Sequence, residues 1–315
     1  MTTRRAPLSR ALLSCALALL LGTSAHAIND NAGTTGFNFL KIGVGARAAA
    51  LGGSYAAAAG ELEAIAWNPA GLHGIDSRAA SLSYTSYLVD TEAGFLSVAR
   101  PGESRDWALS INYVTYGDMQ RRDSQGADLG TFGAFDVAAS LTAAQKVWGG
   151  RLTAGASLKA IYSSIDDYTS DAYALDLGVI ADGPLEGMTL GASLANLGTV
   201  RSGYTGGYKD DLPVLIRLGA AHRPAHMPVP MVLVADLTVP NDNDAYLTFG
   251  AEIQVADRLY LRPGYSLQQA GANGDEALGL SGGAGLDLAR YRLDYAFTSY
   301  PALGDVHRVS LSGRI

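Results

Sequence analysis

His222 and His226 stand four residues apart, a spacing that could serve a metal on a helix. Pro224 and Met227 beside them argue for a strand end and a turn, which would point the two rings apart. The pair therefore reads as turn residues, not as metal ligands. Asn241–Asp244, Asn-Asp-Asn-Asp, offers oxygens for calcium, but nothing nearby supplies the further ligands that ion takes. It reads as a solvated loop tip. The run "GGSYAAAAG" from Gly52 is glycine-rich but lacks the Gly-Lys-Ser/Thr of a phosphate loop. No Gly-x-Ser-x-Gly elbow occurs. A strand-borne Ser-His pair would have only His307 to draw on. The sequence thus points to no enzyme, no cofactor and no metal.

The remaining residues with chemistry are charges at regular spacing. Lys159, Asp176, Arg217, Asp236, Glu252, Arg262, Arg292 and Asp294 all fall on the polar side of alternating segments. Mixed signs let them pair across an enclosed space. Arg47 lies upstream of them all, and a salt bridge to Asp236, Asp294 or Glu252 is expected for it rather than a ligand. The chain carries a formal charge of −7 and four lysines, which excludes the basic surface that nucleic-acid binding needs. Its one cysteine, Cys15, precedes the mature chain, so disulfides are excluded.

The N-terminus reads as a secretory signal over residues 1–27. Arg4, Arg5 and Arg10 are basic, Ala11 to Leu21 is apolar, and Ala25-His26-Ala27 is a small-x-small cleavage site. Removing this segment with its three arginines takes the charge to −10.

Strict period-2 alternation begins near Ala79. "WALSINYV" sets Trp107, Leu109, Ile111 and Tyr113 against Ala108, Ser110 and Asn112. Fourteen such segments are expected, near 79–88, 92–100, 106–116, 133–147, 151–163, 171–181, 187–197, 212–223, 230–238, 244–254, 258–266, 277–287, 290–299 and 306–315. Pro263 falls inside one of them, where a bulge or early end is expected. Connections after odd-numbered strands, such as 117–132 and 198–211, are mostly long and polar; those after even-numbered strands are mostly short. An even count, strand length and loop alternation together predict an all-β, up-and-down antiparallel transmembrane barrel, with lipid outside and polar residues within. Trp107, Tyr113, Tyr260, Tyr291 and Tyr300 lie near strand ends, as interfacial aromatics or as ordinary strand residues. The expected location is the outer membrane of a Gram-negative-type bacterium, as a monomer.

Residues 28–78 do not alternate. Small residues with a short helix near 45–60 precede "AIAWNPAGL", Ala64 to Leu72. Pro69 fixes its own backbone and biases Asn68 to extended geometry. Such a segment suits a plug that packs closely inside a barrel. The run "GARAAALGGSYAAAAGELEAIAWNPAGL" resembles the N-terminal signature of the PorV/PorQ family within the FadL-like outer-membrane barrels. Gly45, Ala46, Arg47, Ala48, Gly52, Gly53, Asn68, Pro69, Ala70, Gly71 and Leu72 match that pattern, with Trp67 beside them; Tyr55 departs from it. "ANLG" at 195–198, "GAE" at 250–252, "LRPGY" at 261–265 and "DYAF" at 294–297 extend the likeness. The resemblance implies a fourteen-stranded barrel with residues 28–78 as a hatch. On this resemblance the expected function is protein secretion and cargo presentation at the outer membrane, with secretion-system subunits and cargo as partners; the alternative is passive passage of hydrophobic small molecules.

Overall fold

The structure is a computed structural model and describes residues 31–268, 279–300 and 304–315. The signal-peptide reading of 1–27 lies outside the described residues. Fourteen strands form a closed antiparallel barrel, each paired with its sequence neighbours, and β14 closes against β1. They are β1 (Ala79–Ser86), β2 (Glu92–Arg100), β3 (Asp106–Arg122), β4 (Asp128–Val147), β5 (Leu152–Ile165), β6 (Tyr168–Asp182) and β7 (Met188–Ser202). The second half comprises β8 (Leu215–His222), β9 (Met231–Pro240), β10 (Tyr246–Ala256), β11 (Leu259–Ser266), β12 (Leu280–Leu288), β13 (Tyr291–Tyr300) and β14 (Gly304–Arg314).

The alternating pattern sorts onto two faces, with the polar set inside. Asp176 and Asp236 are 1% and 2% exposed, whereas Leu109 and Leu158 are 58% and 64% exposed. In water that arrangement would be inverted, because burial of apolar surface is the main folding force. An apolar exterior on a closed barrel is similar to that of outer-membrane barrels. In-register leucines encircle it: Leu82 pairs with Leu96 and Leu311, Leu311 with Leu293, and Leu141 with Leu109 and Leu158.

Several strand ends differ from expectation. β3 and β4 continue as a hairpin through most of 117–132, and β7 runs on to Ser202. Loop-length alternation shrinks accordingly, with 203–214 and 267–279 the long connections at that rim. Beyond the apolar band both faces of a strand can be polar, so these extensions lack the alternation that marks a strand. β11 continues through Pro263, opposite Gly282, but its pairing with β10 lapses at Arg262 and Pro263 and resumes at Leu261; a register shift falls at Gln254–Ala256 of β10.

Residues 31–78 form a compact N-terminal segment. Its helix, α1 (Ala46–Ala50), is shorter than expected, because Gly52 and Gly53 take φ of 71° and 87° and end it. Short 3-10 turns follow at Glu63–Ala66 and Pro69–Leu72. α1 contacts β11 to β14, and the Pro69–Leu72 turn contacts β3 to β6. A segment that touches the inner faces of opposite walls lies across the bore. Phe39 and Leu72, 1% and 0% exposed, anchor it at roughly 1.5–3 kcal/mol each.

Candidate functional site

The Asn-Pro turn is fastened to the wall by one side chain. Asn68 is fully buried; its Nδ2 donates to the Ala56 carbonyl at 2.7 Å, within the segment, and to the Val179 carbonyl at 3.1 Å, on β6. A third, longer contact at 3.3 Å reaches the Ala192 carbonyl on β7. Its Oδ1 accepts from the Ala70 amide at 3.0 Å and so caps the turn that Pro69 opens. The wall makes room with Gly178, where an added Cβ would sit 2.9 Å from Pro69 Cδ. Trp67 packs behind the turn, donating from Nε1 to the Val44 carbonyl at 3.0 Å.

On the opposite wall the contacts are ionic. Arg47, from α1, makes a two-pronged ion pair with Glu252 of β10 at 2.6 Å and also pairs with Glu61. Of the three acids expected for Arg47, the one that meets it is thus Glu252. Arg262 on β11 joins Glu252 at 2.7 Å to Asp294 on β13 at 2.8 Å. Arg292 reaches Asp294 at 3.2 Å and Glu252 at 3.4 Å. Asp236 accepts from the Tyr55 and Ala56 amides, both at 2.8 Å. The sequence offered no way to see Glu61 or the two amides as partners, because their adjacency depends on how the segment crosses the bore.

Glu63 lies under this network within the 3-10 turn, 7% exposed, and accepts from Ser81 Oγ at 3.1 Å. Burial pushes its carboxyl up to about 7, with Asp294 adding to the rise and Ser310, Ser81 and Arg47 opposing it.

Lys159 and Asp176 pair at 2.6 Å where the wall is irregular. Ala195 and Asn196 of β7 stand opposite Asp176 alone, a one-residue bulge, with Asn196 at φ 63°. Asn196 accepts from Lys159 at 2.9 Å and donates to the Pro213 carbonyl at 2.9 Å. β8 begins opposite Ala195, so β7 beyond the bulge pairs only with β6. The gap beside it is covered by 203–214 and by the N-terminal segment, whose Thr35 bridges to Asp211. Phe37, Phe39, Val200 and Leu212 share an apolar cluster there.

Two cavities lie on either side of the N-terminal segment. One, of ≈ 350 Å³, faces the rim of the longer connections and is lined by Trp67, Arg217 and Arg308. The other, of ≈ 340 Å³, faces the opposite rim and is lined by Arg47, Glu63 and Asp294.

The same architecture occurs in two toluene transporters. The chain is similar to the P. putida toluene transporter TodX, with a TM-score of 0.62 and 15% identity over 87% of this chain and 99% of that one. The Ralstonia pickettii toluene transporter TbuX aligns at a TM-score of 0.59 and 15% identity, over 87% of this chain and 98% of that one. At that identity the likeness establishes the fold. No family model and no curated protein matches the sequence.

The other candidates from the sequence fall apart or change role. His222 ends β8 and His226 lies in the turn beyond it. Among the described residues no group of three or more histidine, cysteine, aspartate or glutamate side chains converges. His307 meets Tyr295 on the exposed wall at 2.9 Å. The loop at Asn241–Asp244 is not wholly solvated. Asp242 is 3% exposed and takes hydrogen bonds from Lys41 at 2.6 Å and from Thr35. Burial alone would raise its carboxyl, but these two partners hold it below its ordinary value. Asn196 was legible only as part of the "ANLG" stretch.

Proposed function

We propose that the protein is a non-enzymatic outer-membrane channel of the FadL-like type that passes hydrophobic small molecules. The observation that carries this reading is the near full-length match in fold to two toluene transporters. The bulge at Asn196 and the shortened β8 support it, since they leave a place where the wall could open sideways near an apolar cluster. In this reading residues 1–27 are a cleaved signal, 28–78 are the hatch and 79–315 are the barrel. Gly45, Arg47, Gly52, Gly53, Trp67, Asn68, Pro69, Gly71 and Leu72 seat the hatch. Lys159, Asp176, Arg217, Asp236, Glu252, Arg262, Arg292 and Asp294 form the lumenal lining.

A role in protein secretion, of the PorV/PorQ type, rests on the N-terminal motif alone. The outer segments 117–132 and 198–211, which would have to receive cargo, are in good part strand. The test is expression in a Gram-negative host whose outer membrane excludes toluene. Toluene uptake should rise several-fold with the protein; unchanged uptake of toluene and of longer hydrocarbons would reject the channel.

A further inference from the structure

Two arginines in the cavity at the longer-connection rim make no direct ion pair, although Arg217 feels the charges of Asp176 and Asp236 at longer range. Arg217 on β8 is 7% exposed and Arg308 on β14 is 4% exposed. Among the described residues neither takes part in an ion pair, whereas Lys159, Arg262 and Arg292 on the same lumenal wall each do. Arg217 Nη1 and Arg308 Nε are buried without a hydrogen-bond partner. Arg217 lies over the Trp67 ring at 5.2 Å, and Arg308 Nη1 donates to Thr298 Oγ1 at 3.2 Å. The cavity's lysine, Lys41, is already committed to Asp242 at 2.6 Å.

Burying a guanidinium without a direct ion-pair partner is costly. Two such groups on one cavity leave a place for an anion there. Guanidinium presents a planar fork that matches a carboxylate. Among small and polar lining residues stand four aromatic ones: Tyr87 and Tyr300 meet edge to face at 6.5 Å, and Tyr246 and Trp67 line the same space. Ring faces and edges of this kind hold a flat apolar body, and the tyrosine hydroxyls can serve its polar end. A cavity of ≈ 350 Å³ has room for a small ring compound and not for a polymer.

We propose that this cavity is a binding site for an aromatic monocarboxylate, held by Arg217 and Arg308. The site refines the transport reading by naming a substrate class, and it rests on that reading only for the ligand's route. A guanidinium fork serves phosphate as well as carboxylate, and it is the four aromatic side chains of the cavity that favour a carboxylate carried on a ring.

Binding is measured by calorimetry on the full mature protein in detergent, with benzoate, benzamide, toluene and inorganic phosphate as probes. Benzoate should bind at least tenfold more tightly than benzamide, its neutral counterpart. Arg308→Gln and Arg217→Gln should each weaken benzoate roughly tenfold to a hundredfold, the worth of a charged hydrogen bond. Arg308→Lys should fall between. Heat-modifiable gel mobility reports whether each variant keeps its barrel, and the benzoate–benzamide comparison needs no variant. Equal affinity for benzoate and benzamide overturns the proposal. So does phosphate competing on equal terms, or folded variants that bind benzoate as the parent does. Toluene uptake separates the two ideas. Loss of the channel reading leaves benzoate binding intact, whereas failure of this site leaves toluene uptake unaffected in Arg308→Gln.

Discussion

Asn68 uses its amide nitrogen and its carbonyl oxygen together between the N-terminal segment and the wall, and glutamine, the other side chain with both groups, is one methylene too long for the same seat. Aspartate would lose the two donors, and alanine would lose donors and acceptor together. Asn68→Ala leaves the Ala56 carbonyl buried without its 2.7 Å partner, a cost of about 1–3 kcal/mol that falls on the segment's seat, not on any strand ladder. Single-channel conductance should therefore rise in Asn68→Ala, and further with Pro69→Ala added, while heat-modifiable mobility stays unchanged. Loss of the barrel band, or conductance equal to the parent's, would contradict this role. The residue's special status was legible in the sequence, because an asparagine before proline and a small-residue turn is a cap in waiting. Its wall partners were not, since they come from strands more than a hundred residues away.

At the scale of elements, alternation identified all fourteen strands because each has one apolar outer face and one polar face on the lumen. The same signal failed where that asymmetry ends, in the outer half of the β3–β4 hairpin and beyond the bulge in β7. The charges that would line the bore were also readable from alternation, but not which would pair. Glu252 is the hub because β10 lies beside β11 and across from α1, a fact of closure and of how the segment threads. The segment also carries a built-in pH response. Glu63 has an ordinary value near 4.5 and is pushed to about 7 when seated, largely by burial. A carboxyl raised on docking favours the docked state fully below about 4.5, and that advantage is lost as pH rises through about 7. Protease cleavage within 31–78 in the folded protein should therefore accelerate between pH 5 and pH 8. Glu63→Gln should flatten the profile. A flat profile in the parent would show that the seat does not sense this proton.

For the whole molecule the question is which solvent the outer face meets. The apolar exterior is continuous around the closed sheet, and its middle is the leucine belt joined in register from Leu293 through Leu311, Leu82 and Leu96. Aromatics flank it on both sides. Trp107, Trp148 and Tyr291 are exposed near the rim of short connections, and Tyr84, Tyr113 and Tyr295 sit level with one another toward the other rim. Two such girdles bracket an apolar band in membrane barrels, where ring systems favour the interface. Leu158 lies at the middle of β5 with 64% of its surface exposed. On a water-facing wall, Leu158→Arg would be a surface change worth within about 0.5 kcal/mol of nothing. On a lipid-facing wall it places a charge near the bilayer midplane, a cost of about 2–4 kcal/mol. Reversible urea unfolding in phospholipid vesicles distinguishes the two. The midpoint should fall markedly for Leu158→Arg. It should change little for Val89→Arg, an exposed residue in the β1–β2 connection beyond the band. If the two variants unfold alike, the exterior of the barrel does not face lipid, and the outer-membrane location falls with it.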